Sequence, residues 1–153
     1  MKWIALVTFG LPLLSALCFS AFVRLAPVDP ARWHVTLTDQ PASIKPNDAT
    51  AYATGGDLAA PTFADPPEAI LARLEALALS EPRTRLVAGS AAEGRLTLMQ
   101  RSALWGMPDF ITAEATRSPE GTRLAMWSRA RFGFSDFGTN RARLERWITG
   151  LRG

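Results

Sequence analysis

The pattern of hydrophobic and polar residues divides the chain into three parts. An uncharged, mostly apolar run from Trp3 to Val23 comes first, and its length is about the 20 residues that a helix needs to cross a bilayer. Residues 24–64 are rich in Pro, Asp, Thr, Ala and Gly, and neither a helical nor an alternating period persists there. Regular periods occur only after this segment. We therefore predict a membrane anchor over residues 1–23, a linker or extended strap over residues 24–64, and an α+β domain over residues 65–153.

The N-terminal run allows two interpretations, a retained transmembrane helix or a cleaved signal peptide. The run is long for the apolar centre of a signal peptide, and no Ala-x-Ala site precedes Arg24, so the retained helix is favoured. Lys2 indicates a cytoplasmic amino terminus, whereas Arg24 and Arg32 on the other side of the run oppose that orientation. The prediction is a single-pass protein of the inner, cytoplasmic membrane whose domain lies on the periplasmic side.

The folded part is predicted to contain two amphipathic helices and four strands. The helices follow from apolar residues at helical spacing. These are Ile70, Leu71, Leu74, Leu77 and Ala78 in the first helix, and Leu144, Trp147, Ile148 and Leu151 in the last. Strand patterns cover residues 84–90, 95–101, 111–116 and 122–132, with short turns between them. Strands connected in this way form an antiparallel meander, so we predict a two-layer domain, a four-stranded meander sheet with both helices packed on one face.

The composition excludes several kinds of site. The chain has 17 Lys and Arg, 14 Asp and Glu, and a formal net charge of +3, a modest basic excess that fits nucleic-acid binding poorly. Cys18 is the only cysteine, which excludes an intramolecular disulfide. His34 is the only histidine, so a His/Cys metal cluster is excluded and a Ser-His-Asp triad would require His34 to fold back onto the domain. We predict no cofactor and no metal.

The segment from Thr122 to Arg143 concentrates arginines, glycines and aromatic residues in a strand, a loop and the start of the last helix. Because side chains alternate along a strand, three arginines and a tryptophan share one face of it. Arginine prefers flat, bidentate anions such as carboxylates and phosphates, and backbone N–H groups at the helix start would add to anion binding. The candidate ligand-binding residues are Arg123, Trp127, Arg129, Arg131, Asp136, Asn140 and Arg141.

The same cluster permits a structural interpretation, in which its arginines pair with Asp109, Glu114 or Asp136 and hold the loop on the sheet. Three functions stay open. The leading hypothesis is a membrane-anchored binding module for an anionic small molecule or lipid headgroup, and the second is a protein–protein interaction or scaffolding domain. The third is an enzyme that uses Asp109 and Asp136 as an acid/base pair, which requires the fold to bring both carboxylates into one cavity. A non-enzymatic role is favoured.

Three segments resemble those of a known family. Residues 128–141 read SRARFGFSDFGTNR, residues 107–109 read MPD, and residues 29–34 read DPARWH. Their order and spacing resemble the signature of a bacterial family catalogued as domain of unknown function 1499. Ala130 stands where this family commonly has serine, and Met107 stands where it has an aromatic residue. The resemblance implies a small bacterial domain, often behind a membrane anchor, and it implies no activity and no catalytic residue.

Overall fold

The computed structural model describes residues 10–37, 40, 43 and 45–153. Its helices are α1 (Leu11–Leu25), α2 (Pro30–Trp33), α3 (Pro67–Ser80) and α4 (Thr139–Arg152). Its strands are β1 (Asp48–Tyr52), β2 (Leu58–Ala59), β3 (Thr62–Phe63), β4 (Thr84–Ser90), β5 (Arg95–Arg101), β6 (Pro108–Ser118) and β7 (Gly121–Ala130).

The described strands form one mixed sheet of seven strands, in which β1 to β7 run in the order β2-β1-β7-β6-β5-β4 with β3 also on β7. Strands β4 to β7 form an antiparallel meander. The free edge of β7 is shared: β1 pairs with residues 126–129 of β7, and β3 pairs with residues 122 and 123, both antiparallel. The short strand β2 extends the sheet by pairing with β1 in parallel.

Helices α3 and α4 pack on one face of the sheet, which we call the inner face. Their apolar stripes meet the side chains that alternate inward along the strands, and together these form the main core. Its buried members include Ile70, Leu71, Leu74, Leu96, Leu98, Ile111, Leu124, Met126, Leu144 and Trp147. Each large side chain buried in this way contributes roughly 1.5–3 kcal/mol. The core also fixes the strand register, because a slip by one residue would turn every apolar side chain to the other face.

The opposite, outer face of the sheet is covered by residues 26–37, which we call the outer strap. Trp33 is 7% exposed, and its ring stacks on Phe110 with the two ring centroids 3.9 Å apart. Further along, the Leu37 N–H donates to the Glu114 carboxylate at 2.8 Å. The outer strap thus adds apolar packing and hydrogen bonds to a face that would otherwise meet water.

The predicted four-stranded sheet is wrong, although the domain is α+β. The sheet is mixed and has seven strands, and the three additional strands lie in residues 24–64, where no period persists. Strand β1 alternates, but Ala49 and Ala51 are the residues it buries on the inner face, and alanine is a weak strand signal. Strands β2 and β3 have two residues each, too few for any alternation to be recognised.

The predicted transmembrane helix is also wrong. Among the described residues, no helix combines the length and the apolar composition that a membrane crossing needs. Helix α1 has 15 residues, which at 1.5 Å per residue extend about 22 Å, against about 30 Å of bilayer hydrocarbon. Its last turn also carries the charge of Arg24. Residues 1–9 of the predicted anchor lie outside the described residues, and the periplasmic location of the domain stays a prediction.

Candidate functional site

Arg129 is buried beneath the outer strap. It is 7% exposed, and its Nη2 donates to the Trp33 carbonyl oxygen at 2.6 Å and to Thr112 Oγ1 at 2.7 Å. The guanidinium carbon lies 4.1 Å from the ring centroid of Trp127 and 5.3 Å from that of Trp33. No carboxylate in the described part of the chain lies within ion-pair distance of it, and burial lowers the pKa of Arg129 to about 10. Arg129 therefore ties the outer strap to the sheet through a carbonyl and aromatic rings.

The structure places Arg123, Trp127 and Arg129 on the outer face of β7, and Arg131 directly after that strand. Their surroundings differ. Trp127 Nε1 donates to the carboxylate of Asp48 at 3.3 Å. Arg131 Nη1 donates to the Pro27 carbonyl oxygen at 2.8 Å, while Arg123 forms an ion pair of 3.4 Å with the exposed Glu120. The predicted face of Arg123, Trp127, Arg129 and Arg131, which we call the Arg/Trp face, is thus a set of separate contacts rather than one open strip.

Of the other three predicted residues, Asp136 lies in the loop before α4, and Asn140 and Arg141 lie in the first turn of α4. The Asp136 carboxylate accepts the N–H groups of Gly138 at 3.0 Å and of Asn140 at 2.6 Å, so it satisfies an N–H group in the first turn of the helix, whose N-cap residue is Gly138. Asn140 is fully buried, and its side-chain amide donates to the Asn47 carbonyl oxygen at 2.9 Å. Arg141 is exposed and forms an ion pair with the next turn of α4. These residues stabilise the loop and the helix start.

At one end of the sheet, the charges of three arginines act on a fourth, Arg101, and none of the four has a carboxylate partner among the described residues. We call Arg24, Arg85, Arg101 and Arg131 the arginine cluster. Arg101 donates to the carbonyl oxygens of Gly106 at 2.6 Å, Val23 at 3.2 Å and Arg24 at 3.3 Å. The last two belong to the final turn of α1, where the helix dipole is negative. Burial lowers the pKa of Arg101, and the charges of Arg85, Arg24 and Arg131 lower it further, so an anion beside the cluster would be stabilising.

Exposed apolar side chains collect at the same end. Apart from Leu79, every large hydrophobic residue that is exposed in the described part of the chain lies on α1 or on the loops of residues 102–107 and 131–138. These residues are Leu11, Leu13, Leu14, Leu17, Phe19, Phe22, Leu25, Leu104, Trp105, Phe134 and Phe137. We call this surface the apolar end. Helix α1 contacts each of the two loops, because the rings of Phe19 and Trp105 lie 6.1 Å apart and those of Phe22 and Phe132 lie 6.3 Å apart.

A cleft of about 280 Å³ lies where the end of α3, strand β5 and helix α4 meet, and we call it the charged cleft. Its charged and polar lining residues are Glu81, Arg83, Gln100, Arg101, Ser102, Asp109, Thr139, Arg143 and Arg146. Arg143 is 3% exposed and donates to Asp109 Oδ2 at 2.7 Å, to Gln100 Oε1 at 2.7 Å and to Ser128 Oγ at 2.9 Å. It also donates to Asn140 Oδ1. These extra bonds are what a buried ion pair needs to offset its desolvation.

Two carboxyl groups line the charged cleft, and their pKa values shift in opposite directions. Burial raises the pKa of Asp109, and the charge of Arg143 opposes that rise. Glu81 accepts from Arg146 at 2.8 and 2.9 Å and from Trp147 Nε1 at 2.9 Å, and these bonds, that from Arg146 foremost, lower the pKa of Glu81 to about 2. Such pairs occur at functional sites and in structural ion-pair networks alike. Asp136 is not among the residues that line this cleft.

The sequence analysis did not identify most residues of the arginine cluster or of the charged cleft. The arginine cluster joins β4, β5, the loop after β7 and the end of α1, and no local pattern indicates that Arg24 meets Arg101. Arg143 did carry a signal, because Arg143, Trp147 and Leu151 are spaced by four residues and so lie on one stripe of α4. The burial of Trp147 and Leu151 explains why Arg143 also points inward.

Comparison with known proteins bears on this architecture. The model of the family described as Protein of unknown function (DUF1499) matches residues 24–151. The chain belongs to the DUF1499 family. This confirms the resemblance found in residues 128–141. The DUF1499 match includes the outer strap, the whole arginine cluster and the charged cleft, whereas most of α1 precedes it.

Other comparisons add little. No curated protein matches the chain. Among solved structures, the X-ray structure of protein MLL2253 from Mesorhizobium loti aligns with a TM-score of 0.37 and 16% identity, over 44% of this chain and 54% of its own. A similarity at that level supports no argument. Within the described residues of this DUF1499 protein, no three His, Cys, Asp or Glu side chains come together as a metal site requires.

Proposed function

We propose that this DUF1499 domain binds the surface of an anionic lipid membrane through its apolar end and the adjoining arginine cluster. The observation that carries the proposal is that exposed aromatic side chains and unpaired arginines occur together at one end of the domain. This commits the anion-binding hypothesis to lipid headgroups. Arg131 is common to the predicted Arg/Trp face and to the arginine cluster.

The apolar part of this surface is large and projects outward. Phe134 and Phe137 are 84% and 98% exposed, and exposed apolar patches beyond a few hundred Å² usually mark interaction sites. Aromatic residues favour the interface between lipid and water, where the ring meets acyl chains and headgroups together. Moving a phenylalanine ring out of water is worth roughly 1.5–3 kcal/mol when its burial is complete, so two rings could contribute strongly to membrane binding.

Helix α1 is held on the domain in a fixed orientation. Val23 is fully buried, Ser20 Oγ donates to the Trp105 carbonyl oxygen at 3.2 Å, and Arg24 Nη2 donates to the Leu104 carbonyl oxygen at 3.3 Å. The leucines and phenylalanines on the rest of α1 remain exposed. A helix of this kind can lie in the plane of the interface with its apolar side chains among the headgroups and upper acyl carbons.

The arginine cluster supplies the electrostatic part of the proposed contact. Each arginine close to an anionic leaflet contributes about 1 kcal/mol of attraction, and lipid phosphates would relieve the mutual repulsion around Arg101. Arginine side chains also cover apolar surface with their methylene stems while the guanidinium stays in the headgroup layer. The proposal therefore predicts binding that depends on both anionic lipid and apolar contact.

Vesicle flotation of the full chain tests this function. We expect the protein to float with phosphatidylglycerol vesicles and much less with phosphatidylcholine vesicles, and to be released partly by salt, because salt screens surface charge. The double variant Phe134→Asp/Phe137→Asp should bind at least tenfold more weakly. Leu79→Asp is the matched control, because Leu79 is, among the described residues, the exposed large apolar residue that lies outside the apolar end. Equal binding by the double variant and the wild type, or equal binding to both lipids, would contradict the proposal and favour a protein partner.

A further inference from the structure

The charged cleft carries more positive charge than its own ion pairs neutralise. Arg143 pairs with Asp109 at 2.7 Å, and Arg146 pairs with Glu81 at 2.8 Å. Arg83 and Arg101 also line the cleft, and no carboxylate in the described part of the chain pairs with either of them. Two positive charges therefore remain on the cleft wall, which suits a dianion better than a neutral ligand.

Asp109 offers an acceptor beside these charges. Its Oδ2 accepts the hydrogen bond from Arg143. Its Oδ1 has no hydrogen-bond partner within the described residues and is accessible to solvent. The bonds that Arg143 makes to Gln100, Ser128 and Asn140 hold it in place, and Arg143 in turn fixes the Asp109 carboxylate. A rigid acceptor of this kind can select a ligand that brings a hydroxyl group.

We propose that the charged cleft binds a small phosphate ester that carries a neighbouring hydroxyl group. The phosphate lies against the Nη atoms of Arg83, beside the positive charge of Arg101, whose own Nη atoms bond carbonyl oxygens, and the hydroxyl donates to Asp109 Oδ1. A planar guanidinium matches two phosphate oxygens at once, and a volume of about 280 Å³ accommodates a ligand of the size of glycerol 3-phosphate. The site shares Arg101 with the arginine cluster, but Arg83 and Asp109 lie outside that cluster and outside the apolar end, so binding of a soluble ligand here does not depend on the proposed membrane function.

The phosphate could belong to a free metabolite or to a lipid headgroup, because Arg101 contributes both to the charged cleft and to the arginine cluster. The two sources share one recognition chemistry and differ in where the phosphate is presented. Glycerol 3-phosphate in solution represents the first source. Vesicles that contain lysophosphatidic acid, whose headgroup is a phosphate monoester beside a free hydroxyl group, represent the second.

Calorimetric titration of the full chain with glycerol 3-phosphate tests the site, and inorganic phosphate and glycerol are the comparison ligands. We expect binding of glycerol 3-phosphate to exceed that of inorganic phosphate at least several-fold, with none for glycerol. Arg83→Gln should weaken the binding at least tenfold, since charge-assisted hydrogen bonds are lost. Arg117→Gln removes an exposed arginine from the far end of β6 and should leave the binding unchanged. Asp109→Asn keeps the shape of the side chain and should remove the preference for the hydroxylated ligand.

Several outcomes would overturn this inference. One is that glycerol 3-phosphate does not bind and that binding to lysophosphatidic acid vesicles does not depend on Arg83. Another is an equal loss of affinity in Arg83→Gln and Arg117→Gln. Binding to the vesicles only, reduced by Arg83→Gln, supports the site and assigns the phosphate to a lipid.

If Asp109→Asn does not fold, the chemical shifts of the Ser102 and Thr139 amides provide the alternative test, because both residues line the cleft. Perturbation of both by glycerol 3-phosphate supports the site, and unchanged shifts contradict it.

Discussion

Arg143→Met is expected to lower the free energy of unfolding by roughly 3–5 kcal/mol, which is the cost of leaving one member of a buried ion pair without its partner. The methionine would fill much of the volume but could not bond Asp109, which Arg143 contacts at 2.7 Å. The variant would also remove hydrogen bonds from Ser128 and Gln100, and buried polar groups that lose their partners are costly. Urea unfolding followed by circular dichroism measures the change.

Arg129→Met is the matched comparison for this prediction. Arg129 is buried too, but it contacts no carboxylate within the described residues. The Trp33 carbonyl oxygen that it bonds also accepts from Thr112 Oγ1 at 2.7 Å, so the substitution leaves that oxygen satisfied. We expect a loss below about 1.5 kcal/mol, as for an apolar replacement that conserves volume. Similar large losses in both variants would contradict the distinction between a paired and an unpaired buried arginine.

Trp33→Ala is the second substitution with a large expected effect, a loss of roughly 3–5 kcal/mol in the free energy of unfolding. Trp33 is almost fully buried and stacks on Phe110, which is completely buried, so its removal leaves a large cavity. It also removes one of the two rings beside the Arg129 guanidinium. The outer strap would lose its main apolar contact with the sheet.

Limited proteolysis with trypsin separates this local effect from general destabilisation. We expect cleavage after Arg32 to become much faster in Trp33→Ala under conditions where the rest of the domain stays folded. Trp105→Ala is the control, because Trp105 is 37% exposed and its loss should change stability by less than about 1 kcal/mol. Unchanged cleavage after Arg32 would show that the strap is held by contacts other than Trp33.

The helices and the meander could be predicted because their patterns are local. The stripe of Ile70, Leu71 and Leu74 has helical spacing, and the strands of the meander are joined by short turns, so near neighbours in sequence are neighbours in the fold. Strand β1 could not be predicted in this way. It pairs with β7, far along the chain, and it fills the core with two alanines, whose small side chains give little period.

Strand alternation was sufficient to place Arg123, Trp127, Arg129 and Arg131 on one face. It could not show that residues 26–37 cover that face, because the contact between Trp33 and Phe110 joins distant segments. The same limit applies to the arginine cluster. Its members come from four segments that are distant in the sequence, and only the completed fold shows that they meet beside exposed aromatic residues.

The central claim is that the apolar end enters the membrane interface, and Cys18 allows a direct test. It is the only cysteine and is exposed on α1, so a thiol-reactive fluorophore can be attached without substitution. With phosphatidylglycerol vesicles that contain quencher-labelled lipids, we expect a blue shift of the emission and quenching by shallow quenchers. A label on the exposed α3 position in Cys18→Ser/Ala72→Cys should show neither. A Cys18 label that stays in water, or equal quenching of both labels, would contradict the claim.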